Sequence, residues 1–206
     1  MINYHVKIEC RICRNIYVST LKMSVYLIKR SDKKYSNLEK KHFSIALRLF
    51  INGWRNGNCN KYITQVDLIN NQELYNRWLI KKSELKNSKI IWAFHGTPDT
   101  TNVESIIKNG FDLSLVGKNK KNTGDYGFGI YLSEYSSVAV KYSSAKFKGI
   151  ILCKVLVGKQ YRCPGDTIRG ISLQKGYDSH TSPDGRRELV IFDTNQILPC
   201  YVIHTA

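Results

Sequence analysis

Polar and apolar residues alternate along several short stretches of this chain, and that alternation predicts strands. Tyr4-His5-Val6-Lys7-Ile8-Glu9-Cys10 reads this way, and so does Tyr62 to Ile69, which Asn70-Asn71 breaks. The apolar run from Ile16 to Ile28 suits a strand or a short helix, and the charged stretch Lys29 to Lys41 reads as a solvated linker. Gln72 to Lys86 changes period: Leu74, Trp78 and Leu85 recur near helical spacing with Lys and Glu between them, which predicts a helix with a core-facing stripe. Ile90 to Phe94 is a buried-type strand. Thr101-x-x-Glu104 reads as a capping box and Gly110 as the residue just past a helix end, so Asn102 to Asn109 is a short helix, read as scaffold. Ile150 to Val157 is a long strand ended by Gly158. Arg162 to Ser182 is loop-rich, with a turn at Cys163-Pro164-Gly165-Asp166. Leu189 to Phe192 and Leu198 to Ile203 are the last strands, linked by Asp193-Thr194-Asn195-Gln196. Many strands and few helices predict an α+β fold built on two packed, mainly antiparallel β-sheets with flanking helices.

Charge divides the chain unevenly. Of the formal +16, residues 1–90 carry 18 Lys+Arg against 6 Asp+Glu, and residues 91–206 carry 14 against 10. The basic N-terminal half suits nucleic acid or another polyanion as a partner. Abundant Lys, Asn, Ile and Tyr also fit a biased coding composition, so two readings of the charge stay open. The expected division is a basic segment of unknown function over residues 1–47 and a catalytic domain over residues 48–206. Cys10-Arg11-Ile12-Cys13 has no second pair at zinc spacing, and Cys153 lies inside an apolar strand, so no metal site is expected. No signal peptide and no membrane span are visible, which points to an intracellular protein, nuclear or cytoplasmic, with reduced thiols.

Candidate chemistry begins with Gly124-Asp125-Tyr126-Gly127-Phe128-Gly129-Ile130-Tyr131-Leu132-Ser133. Its glycines allow positive φ or close approach to a ligand, an apolar strand follows, and a helix is expected to open at Ser133. Tyr142 comes about three helical turns after Tyr131, so the two rings are placed to face each other across a gap. Phe94-His95-Gly96-Thr97 ends one strand, and Arg187-Glu188 opens another. In that order and spacing, with Asn109-Gly110-Phe111-Asp112, Val155 to Gly158, Tyr177-Asp178-Ser179 and Tyr201-Val202-Ile203 as flanks, the set resembles the His-Tyr-Glu signature of the poly(ADP-ribose) polymerase-like (diphtheria-toxin-like) ADP-ribosyltransferases. The resemblance covers roughly Leu49 to Ile203.

The resemblance implies the ADP-ribosyltransferase fold and an enzyme that cleaves the nicotinamide–ribose bond of NAD, its co-substrate, and transfers ADP-ribose to a protein acceptor, itself included. It implies catalytic roles for Glu188, His95 and Tyr131. It implies NAD contacts from His95, Gly96, Thr97, Tyr126, Tyr131, Ala139 and Tyr142. Glu188 corresponds to the carboxylate on the ribose 2′-hydroxyl, Gly96 to the backbone holding the nicotinamide carboxamide, and the polar loop Phe111 to Thr123, with its basic stretch 118–122, to the donor-site lid. At Ala139 many relatives carry Ser, a further carboxamide contact. A Glu in the third signature position is the family's pattern for polymer formation, while mono-transfer stays open. Three alternatives remain: an NAD- or ADP-ribose-binding module with weak or no catalysis, transfer to nucleic-acid ends, and a basic nucleic-acid-binding protein whose enzyme-like half is incidental. Residue by residue, Glu188 also suits a strand-edge carboxylate paired to Arg186 or Arg187.

Overall fold

The computed structural model describes residues 24–29 and 37–206, apart from residues 56, 58, 60, 62, 86–87, 118–123, 145–146 and 166–169. The strand expected at Tyr4 to Cys10, the Cys10/Cys13 pair and the basic loop 118–122 fall outside the described residues. Five strands form the first sheet: β1 (Ser24–Lys29), β2 (Ile63–Asn70), β3 (Ile90–Gly96), β5 (Gly149–Leu156) and β9 (Ile197–Thr205), in the antiparallel order β1-β2-β9-β5-β3. The second sheet holds β4 (Ile130–Leu132), β6 (Gln160–Arg162), β7 (Ser179–Thr181) and β8 (Leu189–Ile191) in the order β4-β8-β7-β6. Only β6 and β7 run parallel there. The two-sheet α+β architecture expected from the sequence is therefore the observed one.

β5 shows how one strand serves two cores. Ile151, Cys153 and Val155 face a core shared with Ile130, Leu132, Leu189 and Ile191 of the second sheet. Ile150 and Leu152 point the opposite way, toward Ala46 and Phe50. That is the period-2 pattern of a strand covered on both faces, and it explains why β5 reads as a continuous apolar run. In β9 the register shifts opposite Leu152/Cys153, leaving Cys200 as the extra residue. Pro199, which has no N–H to donate, sits beside this bulge.

Helix α2 (Gln72–Glu84) is capped by Asn71, whose side chain accepts from the Leu74 N–H, and its Leu74 and Trp78 are buried with Leu156 and Leu198. Leu85 packs against the same cluster, so the expected stripe is core. Helix α3 (Thr100–Asn109) starts earlier than the capping-box reading: Asp99 is the cap and accepts from the Thr101 N–H at 2.9 Å. Gly110 ends it with φ +85°, as expected.

The N-terminal region differs most from expectation. Helix α1 (Asn37–Asn52) begins inside the stretch read as linker, and the division at 47/48 falls within it. Glu39, Lys40 and Lys41 sit at its first turns, while Phe43, Ala46 and Phe50 recur at helical spacing on one face. Ala46 and Phe50 are 0% and 1% exposed, so this helix is a wall of the core and not an appendage. β1 likewise extends the main sheet by pairing with β2. Among the described residues, no helix is long and apolar enough to cross a membrane.

Candidate active site

Backbone pairing assembles the cleft. At the end of β3, Phe94 and Ser133 exchange both main-chain hydrogen bonds, at 2.7 and 2.9 Å, so the end of β4 lies beside His95-Gly96. β8 pairs antiparallel to β4 with Leu132 opposite Leu189, and continuing that register sets Glu188 alongside Ser133. After Ser133 the chain makes the short helix α4 (Ser136–Ala139) and a 3₁₀ turn (Val140–Tyr142). The helix expected to open at Ser133 therefore starts three residues later, because Ser133 is held in extended pairing. This segment lies directly on Gly96. A Cβ there would run into the Ala139 carbonyl and come within 2.8 Å of the Tyr142 Cβ, so the position admits only glycine.

The resulting cavity holds about 200 Å³ and is lined by His95, Gly96, Thr97, Tyr131, Ala139 and Tyr142, with Glu188 at its wall. Tyr126 does not line it. Its main chain is used for support: the Tyr126 N–H donates to the Tyr131 hydroxyl at 3.0 Å, and that hydroxyl donates to the Gly127 carbonyl at 2.8 Å. Burial also raises the Tyr131 phenol far above its usual range, so it stays protonated. The helix read as scaffold contributes more than support, because Asn102, Ser105 and Ile106 of α3 line the cleft too. Asn102 and Ser105 are polar and exposed, so the apolar periodicity of the helix gives no sign of them. Thr97 is 4% exposed, and its hydroxyl accepts from the Asn102 amide at 3.1 Å.

His95 has its Nδ1 2.9 Å from the Tyr131 carbonyl. A carbonyl can only accept, so Nδ1 carries the proton. Burial holds the ring below its usual pKa against the opposing pull of that carbonyl. The imidazole is therefore neutral, with Nε2 unprotonated and unpartnered among the described residues. Phe111 meets the ring edge-on at 4.9 Å between centroids.

Glu188 is half-buried, and its backbone is clamped from both sides. Its N–H donates to Ser182 Oγ at 3.0 Å, and its carbonyl accepts from the Ser182 N–H at 2.9 Å. Asp184 organises the turn before it, accepting from the Ser182 hydroxyl at 2.6 Å and from the Arg186 and Arg187 amides at 3.1 and 2.9 Å. The side chain of Glu188 is not tied to Arg186, whose guanidinium pairs with Glu134 at 3.2 Å. Burial raises the Glu188 carboxyl above its ordinary value; nearby Arg187 offsets part of this, and Asp125 and Asp184 add to it. Among the described residues, no three His, Cys, Asp or Glu side chains gather as a metal site.

Two apposed sheets, with an aromatic-walled cleft where their edges meet, make a domain shaped to hold a flat, polar ligand. The family model of the poly(ADP-ribose) polymerase catalytic domain matches residues 40–186, and the chain belongs to that family. The matched span includes His95 and Tyr131 and stops two residues before Glu188. The chain is also similar to Protein mono-ADP-ribosyltransferase PARP4 of Mus musculus, at 28% identity over 141 residues. That match covers 59% of this chain and 7% of the relative, so the chain spans a small part of that protein's length.

Proposed function

We propose that this chain is an NAD-dependent ADP-ribosyltransferase acting on protein acceptors, with Glu188 as its essential carboxylate. The observation that carries the proposal is Glu188 itself: a half-buried carboxylate, not ion-paired with Arg186, in one cavity with His95, Gly96, Tyr131 and Tyr142. Family membership and the likeness to a mono-ADP-ribosyltransferase support it.

The donor set suits NAD. Bound NAD would supply a labile bond between nicotinamide and ribose, whose cleavage develops positive charge at the sugar carbon, as in glycoside cleavage. Nicotinamide leaves neutral, so the site needs no strong acid. Glu188 stabilises the positive charge and polarises a hydroxyl, aided by its partial removal from water. Tyr131 and Tyr142 would flank the nicotinamide ring, and the Gly96 backbone would hold the carboxamide. Neutral His95, oriented by the Tyr131 carbonyl, offers Nε2 as acceptor to a ribose hydroxyl. Ala139 has no side-chain donor to give, so one carboxamide contact is missing here. The likeness to a mono-ADP-ribosyltransferase favours transfer of single units.

The test is incubation with NAD labelled in its adenylate half, resolved on a denaturing gel. A discrete labelled band is expected. A smear would show polymer formation, and absence of label with retained NAD binding would overturn transfer in favour of a binding module. Label on added DNA or RNA ends, and none on protein, would move the acceptor class to nucleic acid.

A further inference from the structure

We propose that His180 is a positioning residue of this site, a neutral imidazole that sets the Gly-rich turn and through it orients Tyr131 and His95. The proposal rests on the reading of the cleft as an NAD site. His180 lies in β7, is 0% exposed and belongs to neither the cleft lining nor the signature set. Its ring packs against Phe192 at 4.7 Å and Tyr161 at 5.3 Å between centroids.

The hydrogen bonds fix its tautomer. Nε2 is 2.8 Å from the Gln174 N–H, which can only donate. Nδ1 is 2.8 Å from the Tyr126 carbonyl, which can only accept. The proton therefore sits on Nδ1, and the neutral ring satisfies both neighbours. A second proton would set one N–H against another, and burial already disfavours the charged ring.

From His180 a line of contacts runs to the cleft. Its Nδ1–H holds the Tyr126 carbonyl. The Tyr126 N–H holds the Tyr131 hydroxyl, whose proton goes to the Gly127 carbonyl. The Tyr131 carbonyl holds Nδ1 of His95. The ring also seats the turn directly. A Cβ on Gly127 would lie 3.0 Å from Nδ1 of His180 and 2.9 Å from Cζ of Phe192, and Gly127 has φ +112°. The Gly-rich turn and the Tyr131 hydroxyl seated on it thus rest against a buried ring of the second sheet, and the Tyr131 carbonyl in turn orients the His95 ring.

Two amide replacements separate positioning from mere filling. Asn places a donor near the former Nδ1 and keeps the bond to Tyr126, whereas Gln places an acceptor near the former Nε2 and keeps the bond to Gln174. NAD turnover (kcat and KM), affinity for benzamide as a nicotinamide mimic, and melting temperature would be measured for the natural chain, His180→Asn and His180→Gln. Misplacing a reacting geometry by about 1 Å costs on the order of 10²-fold. His180→Gln is therefore expected to lose roughly that much in kcat/KM, with His180→Asn within about tenfold of the natural chain, although both melt lower. Equal turnover and equal benzamide affinity in the two variants would overturn the proposal and leave His180 as core filling. If the natural chain does not cleave NAD, the functional reading falls, and the benzamide affinities still decide the positioning claim: a loss with Gln and retention with Asn supports it. If neither variant folds, long-range proton–nitrogen NMR of the natural chain decides, and a protonated Nε2 at neutral pH would overturn it.

Discussion

Replacing Glu188 with Gln removes a charge at nearly constant shape, and its consequences separate a catalytic carboxylate from a structural one. The cleft keeps its walls, since the Ser182 clamp on residue 188 is made by backbone atoms. NAD affinity should therefore change little. Loss of one preorganised charge-stabilising group lowers kcat by about 10²–10³-fold, equivalent to about 2.7–4 kcal/mol in the barrier. Stability should move the other way. Burial raises the folded-state pKa of Glu188 above its unfolded value, so the folded state binds that proton more tightly. Stability from this group is complete below the unfolded pKa of about 4.3 and is lost as pH rises through the folded pKa. Gln never ionises, so the variant should melt above the natural chain at pH 7 and match it near pH 4. For the same reason, natural turnover should decline as pH falls through the raised Glu188 pKa. Titration with NAD, initial rates with labelled NAD across pH, and melts at two pH values measure these four effects. Near-natural automodification by Glu188→Gln would remove the catalytic assignment, and a variant less stable than the natural chain at pH 7 would mark Glu188 as an ion-pair partner.

Other substitutions test the frame around it. Gly96→Ala forces a Cβ against the Ala139 carbonyl and Tyr142, so it should destabilise by about 1–3 kcal/mol and weaken NAD binding, read by calorimetric titration. Ala139→Ser restores a hydroxyl to the cleft and should tighten benzamide binding by roughly 2- to 10-fold; no gain would mean that the carboxamide is held elsewhere. Phe50→Ala should cost about 3–5 kcal/mol in denaturant unfolding, because α1 is core and not appendage. A chain beginning at Ser24 should keep NAD turnover and bind nucleic acid with a shallower salt dependence, by about 0.9 in log–log slope for each phosphate that residues 1–23 would otherwise neutralise. An unchanged slope would remove those residues from polyanion binding.

What the sequence disclosed followed from how local the cause was. β5, β2 and α2 were legible because their own periodicities decide them, and Gly110 because a helix end needs a positive φ. His95, Tyr131 and Glu188 were legible as one group because their motifs lie in or beside strands β3, β4 and β8, which the fold brings to one cavity. α1 was misread: Glu39-Lys40-Lys41 dominates its start, and its apolar face has meaning only against residues distant in sequence, among them Ile150, Leu152, Tyr201 and Ile203. The helix expected from Ser133 was displaced by pairing with Phe94, another long-range contact. His180 gave no signal at all. It sits in a stretch read as loop, and its partners Tyr126 and Gln174 meet it only in the folded chain.

The Phe94–Ser133 pair carries a consequence for motion. Each residue extends a different sheet, and each donates its amide hydrogen to the other's carbonyl. Exchange of those two hydrogens with solvent therefore reports separation of the sheets at the mouth of the cleft, while the amides of Cys153 and Leu152, deep in β5, report unfolding of the first sheet itself. A ligand that bridges both walls must slow the first pair more than the second. The ratio of the two exchange rates then measures how often the unliganded cleft opens, with no need for a catalytic assay.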